Sequence, residues 1–211
     1  MSTNLYTINV NLKGRKCLVV GAGNISERKI QSLLECAANV SVVSPKFKTS
    51  ILALQGHPNL TLITRPFEES DLNGMFLVIS ATNDRELNSK IGTICNNKNI
   101  LINVVDKPEI CSFFVPSILR RGDLSISIST GGKSPTLASK IKQDLSNQYG
   151  NEYERYVNIL GEIRERIKTE VKDPVKRKDI LNNLMEINLY ELIKLHEDGL
   201  IKERIHKCIS L

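Results

Sequence analysis

A chain of 211 residues carrying a net charge of +6 is long enough to bury one substantial core and still leave an appendage. No apolar run approaches the ~18 residues that a bilayer crossing needs, and the polar, mixed residues 1–11 do not read as a signal peptide, so a soluble, cytoplasmic protein is expected. Five cysteines without a CxxC pair, most of them in apolar surroundings, predict free thiols.

The most informative stretch comes early. Residues 17–20 are apolar, Gly21-Ala22-Gly23 follows, and Asn24-Ile25-Ser26-Glu27-Arg28-Lys29 opens a charged helix. Gly21 permits a tight turn, Gly23 lets a pyrophosphate approach the backbone, and the helix start offers unpaired N–H groups and a positive dipole end. The spacing predicts a dinucleotide site, with an ordinary strand-to-helix turn as the competing reading. Two departures stand out. The third glycine of GxGxxG is Ser26, small enough for close packing, and the second strand, 40–43, ends in Ser44-Pro45-Lys46 without an acid for a ribose hydroxyl.

The helix runs from about Ile25 to Cys36, with Ile30, Leu33, Leu34 and Ala37 on one side. Further β-branched runs occupy 60–64, 75–80 and 100–105, and a second helix over 85–96 turns Leu87, Ile91 and Ile94 inward. This alternation predicts a parallel sheet covered on both faces. Ser80-Ala81-Thr82-Asn83-Asp84 and Asn103-Val104-Val105-Asp106 follow the fourth and fifth strands, at the edge where open α/β sheets bind ligands. Small and hydroxyl-bearing residues there let a cofactor lie against the backbone. Asp106 can stand beside a nicotinamide and accept a proton while hydride leaves, or it can simply cap the turn before Lys107-Pro108.

Beyond Asp106 the pattern changes. Residues 113–116 form an apolar link, and 124–129 alternate at period two, as an antiparallel or edge strand with one wet face does. Ser129-Thr130-Gly131-Gly132-Lys133-Ser134-Pro135 reads as a loop delivering a helix, with Ser134 at N-cap and Pro135 at N1. Gly132-Lys133-Ser134 resembles the end of a Walker A loop, but Ser127 stands where that motif needs glycine. What remains is a glycine turn with free N–H groups and a lysine, able to hold a carboxylate or phosphate, or a plain capped helix start. Residues 136–171 read as helical, Asp173-Pro174 as a break, and 175–211 as two or three short helices with a turn near Asp198-Gly199.

Charge is unevenly placed. From residue 151 onward 12 basic residues meet 12 acidic ones, so the whole excess lies in residues 1–150. Lys107, Arg120, Arg121, Lys133, Lys140 and Lys142 face only Glu109 and Asp123 over the same stretch, which can attract a polyanion or simply be a solvated surface. Phe113 and Phe114 are its only aromatics, and it carries no recognisable nucleic-acid module, so a small polycarboxylate or a nucleotide fits as well as nucleic acid. His57, His196 and His206 are scattered, giving no resident metal site. Tyr190 and Lys194, spaced as in short-chain dehydrogenases, lie far from the inferred crevice.

The glycine turn, the 80–84 stretch, Asn103 to Asp106 followed by Cys111-Ser112-Phe113, and Ser129 to Pro135 together resemble, in matching order over about residues 6–150, the precorrin-2 dehydrogenase family of sirohaem synthesis. The resemblance implies an α/β fold: a Rossmann-like NAD-binding domain (1–112), a small dimerisation segment (113–150) and a C-terminal helical domain (151–211), assembled as a homodimer without nucleic-acid or membrane partners. It implies oxidation of precorrin-2 to sirohydrochlorin with NAD; some members also insert Fe²⁺ or Co²⁺. A separate methyltransferase would then supply the substrate. By position it implies that Gly21, Gly23, Asn24 and Ile25 hold the cofactor phosphates, that Ser44, Pro45 and Lys46 lie by the adenosine ribose, and that Thr82 and Asn83 flank the dinucleotide. Asp106 matches the family's proposed catalytic aspartate, and Ser134 a serine phosphorylated in some relatives. Arg120, Lys133 and Ser134 are the expected contacts to an acidic macrocycle. The competing class is a nucleotide-sensing regulatory module, which needs no catalytic acid; an ordinary small-alcohol dehydrogenase lacks its usual residues here.

Overall fold

In the computed structural model, which describes residues 5–209, β1 (Lys16–Val20) sends Cys17 and Val19 to one side of a sheet and Leu18 and Val20 to the other. All four are apolar and buried, the signature of a strand covered on both faces. Four more strands run parallel to it: β2 (Asn39–Val43), β3 (Leu60–Ile63), β4 (Leu77–Ser80) and β5 (Leu101–Val104), in the order β3-β2-β1-β4-β5. One face is covered by Ile30 and Leu33 of α1 (Asn24–Glu35). Ile91 and Cys95 of α3 (Arg85–Asn97) cover the other. A single turn, α2 (Thr49–Leu52), packs Ile51 on the α1 side. The parallel, doubly covered sheet expected from the apolar runs is therefore present.

The strand ends line up. Val20 pairs with both Val43 and Ser80, and Ser80 pairs with Val104, so the segments leaving β1, β2, β4 and β5 emerge along one edge. From β1 the chain moves outward to β2 and β3, then returns to the other side of β1 as β4. That reversal opens a crevice between β1 and β4.

The link from β3 to β4 is held by Arg65, whose guanidinium donates to Asp71 at 2.5 and 2.9 Å, while Asp71 also accepts the Glu68 amide at 2.9 Å. The Arg65 hydrogen bonds, first among the causes, hold the Asp71 carboxyl below the usual carboxylate range. A depressed folded value contributes stability above the ordinary pKa near 4 and loses it as pH falls through the lower folded value. Asp71→Asn is thus expected to lower Tm at neutral pH, with the gap to wild type closing as pH falls below the ordinary carboxylate range; a gap that stays constant with pH contradicts this role.

The chain divides into two compact units, Met1–Val115 and Pro116–Leu211. The second begins with an antiparallel hairpin, β6 (Ser117–Arg121) and β7 (Leu124–Ile128), and continues with α4 (Pro135–Gln148), α5 (Glu152–Glu170), α6 (Pro174–Glu186), α7 (Leu189–Lys194) and α8 (Asp198–Ile209). Its helical core gathers Ile163, Ile167, Ile180, Leu184, Leu189 and Cys208. Tyr149, Tyr153, Tyr156 and Tyr190 cluster beside it with ring centroids 4.6–6.3 Å apart.

Three expectations change here. The alternating strand expected at 124–129 has a partner, β6, in residues 117–121, for which no element was expected. The long helix over 136–171 is two helices, interrupted at 149–151 around Gly150. The turn placed at Asp198-Gly199 falls earlier, where His196 takes a left-handed φ of 57° and α8 begins at Asp198. All five cysteines are free, and among the described residues no helix is long and apolar enough to cross a membrane.

Candidate active site

Gly21 sits where β1 ends, with φ 98°, a conformation open to glycine and strained for L side chains. A Cβ there would stand 2.5 Å from the Ala81 carbonyl oxygen and 3.1 Å from the Thr82 amide nitrogen. The absent side chain lets the segments leaving β1 and β4 come together at the crevice. Gly21→Ala combines backbone strain of about 1–2 kcal/mol with that clash, so a loss of about 2–4 kcal/mol is expected in urea unfolding; a loss below about 1 kcal/mol would contradict so tight an approach.

Gly23 has a different duty. It is the N-cap of α1, in extended conformation, and a Cβ there would meet nothing within 4 Å. No side chain caps the helix. The first intrahelical bond runs from the Glu27 amide to the Gly23 carbonyl, leaving the amides of Asn24, Ile25 and Ser26 at an uncapped, positive helix end. Asn24 and Ile25 are exposed, whereas Ser26 is fully buried and its hydroxyl finds no partner. This is a cradle that a pyrophosphate fits.

Beyond β2, Ser44 is buried and its hydroxyl donates to the Lys46 carbonyl at 2.6 Å, while Pro45 and Lys46 are exposed. Glu27 is paired with Lys48, whose ammonium lies 2.6 Å from its carboxylate and, as the leading cause, lowers its pKa.

Beyond β4 and β5, Thr82, Asn83, Arg85, Asn88, Val105, Asp106 and Lys107 line a cleft of about 350 Å³. Asp106 is exposed on a turn with φ 64°, a region that aspartate tolerates better than most residues. Its carboxylate makes no hydrogen bond among the described residues; the turn-capping role open to it from sequence is not the one it takes. The Cys111 thiol closes the turn instead, accepting the Val104 amide at 3.1 Å and lying 3.3 Å from the carbonyls of Val104 and Lys107. Burial, its largest cause, pushes the Cys111 pKa up, which keeps the thiol proton available for donation. Lys107 turns its ammonium to Ser89, 2.5 Å away.

Thus nine of the positions singled out from sequence for the cofactor, and Asp106 with them, stand along one sheet edge. The sequence reading missed Asn88, the buried amide that organises the 82–84 segment. Its signal was its position: it shares the inward face of α3 with Ile91 and Cys95.

The remaining positions belong to the second unit. Arg120 and Lys133 are exposed, and Ser134 caps α4 as expected, accepting the Leu137 amide at 3.2 Å. The glycine turn before it, with Gly131 at φ 60° and Gly132 at φ 80°, satisfies much of itself. The amides of Gly131, Lys133 and Ser134 donate to Ser129, Thr130 and Thr130 respectively, so most of the N–H groups expected to be free are used within the turn, while the Lys133 side chain stays exposed. Arg121 is structural: it donates to the carbonyls of Tyr149 and Ser146 at the end of α4. A larger cavity of about 560 Å³ lies between α5 and α8, floored by Ile159, Ile163, Ile201 and Ile205 and bridged by the Arg155–Asp198 ion pair. Among the described residues no group of three or more His, Cys, Asp or Glu is placed to hold a metal ion.

A doubly wound parallel sheet with a glycine turn, an uncapped helix and an unengaged acid along one edge defines the class as a dinucleotide-binding α/β protein. Comparison with known proteins agrees: residues 8–117 match a family model described as putative NAD(P)-binding, and residues 121–148 one described as sirohaem biosynthesis protein central. The siroheme synthase of Thioalkalivibrio sulfidiphilus is 32% identical over 207 residues, 98% of this chain and 42% of that protein. That of Psychromonas ingrahamii is 37% identical over 188 residues, 87% of this chain and 40% of that protein. A solved structure of SirC, precorrin-2 dehydrogenase, superposes with a TM-score of 0.80 at 30% identity, covering 96% of this chain and all of that one. The chain belongs to the precorrin-2 dehydrogenase and siroheme synthase family, and spans about two fifths of the length of those two synthases.

Proposed function

We propose that this chain is an NAD-dependent dehydrogenase oxidising precorrin-2 to sirohydrochlorin in sirohaem biosynthesis. The observation that carries the reading is Asp106, an acid in the cleft beyond β4 and β5 without a hydrogen-bond partner among the described residues. Oxidation of the macrocycle removes two hydrogens, one as hydride and one as a proton. NAD⁺, when bound, takes the hydride. Asp106 accepts the proton at its carboxylate. Gly23 and the first amides of α1, at Asn24 and Ile25, hold the pyrophosphate across the close approach that Gly21 permits. Ser44, Pro45 and Lys46 lie by the adenosine ribose, and Thr82 and Asn83 flank the dinucleotide.

Arg120 and Lys133 receive carboxylates of the substrate, and the Ser134 hydroxyl, which accepts the Leu137 amide, keeps its own proton to donate. The reading includes a homodimer built on residues 113–150, where the hairpin β6–β7 has two strand edges without a strand partner among the described residues. A cytoplasmic setting suits five free thiols.

The test is NADH fluorescence under anaerobic conditions with precorrin-2 and either NAD⁺ or NADP⁺, followed by Fe²⁺ or Co²⁺ as a second substrate. NADH formation that depends on the tetrapyrrole is expected. Tight NAD⁺ binding with no NADH formed would point to the regulatory class instead.

A further inference from the structure

We infer that Asn88 is the positioning residue of the cofactor site: it acts through Thr82 to set the wall of the cleft on which the dinucleotide lies. The inference deepens the proposed cofactor site and rests on it.

Asn88 lies in the second turn of α3 and is 4% exposed. A buried amide that is poorly satisfied is costly, and this one is well partnered. The Thr82 amide lies 3.2 Å from Oδ1, and Nδ2 donates to the Thr82 carbonyl at 2.9 Å. One side chain thus holds both backbone groups of Thr82, as a neighbouring strand would. Because the Thr82 N–H must donate and its C=O must accept, the backbone itself fixes which end of the Asn88 amide is which.

The bonding continues beyond the backbone. The Ser80 hydroxyl donates to Oδ1 at 2.7 Å, and the Thr82 hydroxyl lies 2.8 Å from the same oxygen. The Thr82 hydroxyl donates to that oxygen and also lies 3.0 Å from the Asp84 carbonyl, while its own oxygen accepts the Asp84 amide at 3.1 Å. Asp84 in turn caps α3 through the amides of Glu86 and Leu87, both at 2.9 Å. A continuous chain of bonds runs from the last residue of β4, through Asn88, to the first turn of α3. Thr82 and Asp84, on either side of Asn83, are both held in it. Asn88 itself lines the cleft with Thr82, Asn83 and Asp106.

Asparagine is the side chain that does this. Leucine would fill the volume but orphan the Thr82 backbone groups, and aspartate keeps the acceptor while losing the donor to the Thr82 carbonyl. Aspartate regains that donor when protonated, and burial favours its protonated form.

The experiment measures NAD⁺ affinity by calorimetry, without tetrapyrrole, together with steady-state constants, for Asn88→Ala, Asn88→Asp and Ser80→Ala. Asn88→Ala is expected to raise the NAD⁺ dissociation constant and KM at least 10-fold while changing kcat and the KM for tetrapyrrole less than threefold. Asn88→Asp is expected to bind NAD⁺ better as pH falls, relative to a wild type taken through the same range. Ser80→Ala, which removes one bond, gives a smaller loss of the same kind and serves if Asn88→Ala does not fold. A folded Asn88→Ala or Ser80→Ala protein with wild-type NAD⁺ affinity overturns the inference, as does an Asn88→Asp affinity that tracks wild type at every pH. If wild type binds NAD⁺ in this Asn88-dependent way yet oxidises no precorrin-2, the dehydrogenase reading fails and the positioning role stands.

Discussion

Gly23→Asp is expected to abolish useful NAD⁺ binding while leaving the fold as stable as wild type or slightly more so. Gly23 is the N-cap of α1 and has room for a side chain, with nothing within 4 Å of its Cβ position. Aspartate is a good N-cap: its carboxylate takes the amides of the first turn and gains a few tenths of a kcal/mol over glycine. Those amides are the ones proposed for the pyrophosphate, and the new charge stands beside it. Two unit charges 4 Å apart repel by about 4 kcal/mol at an effective dielectric of 20. Solvent at this exposed position reduces that, so an affinity loss of at least about 100-fold, or about 2.7 kcal/mol, is the expected calorimetric result. Near-normal affinity with the cap formed would place the pyrophosphate elsewhere. The substitution is more informative than one at Gly21, where the clash with Ala81 disturbs the fold as well.

Asp106→Asn is expected to lower kcat for NADH formation by about 10²–10⁴-fold, the usual contribution of a positioned proton acceptor. Asparagine shares the tolerance of aspartate for left-handed backbone, so φ 64° and the Cys111 latch survive. The amide keeps the shape and loses the basicity. NAD⁺ affinity should stay within about threefold, because the carboxylate is assigned to the substrate proton and not to the cofactor; the measurement is steady-state rate beside calorimetry on the same preparation. Unchanged kcat removes Asp106 from the chemistry.

Much of the first unit was legible because its strands are short apolar runs bounded by turns. Residues 17–20 are buried on both faces, and Ile30 and Leu33 repeat at helical spacing above them. The second unit was harder to read. Strand β6 ends in Arg120-Arg121 and exists through pairing with β7, a tertiary fact that its own five residues do not announce. The break at 149–151 was missed because a single glycine is tolerated in a helical pattern, although Asn147, Tyr149 and Asn151 around Gly150 are weak helix formers. At the site, glycines and Asp106 could be placed from spacing, whereas the cleft wall could not. Asn88 looks like any polar helix residue until its buried face is known, and the Cys111 latch depends on a backward fold of residues 111–113 along β5.

The central claim is that hydride passes from the tetrapyrrole to NAD⁺ in the cleft beside Asp106. Mass analysis of the coenzyme after anaerobic turnover with precorrin-2 deuterated at the carbons that lose hydrogen tests it most directly. Singly deuterated NADH is expected in step with sirohydrochlorin; sirohydrochlorin formed without labelled NADH, or no oxidation at all, rules out hydride transfer to NAD⁺ at this site.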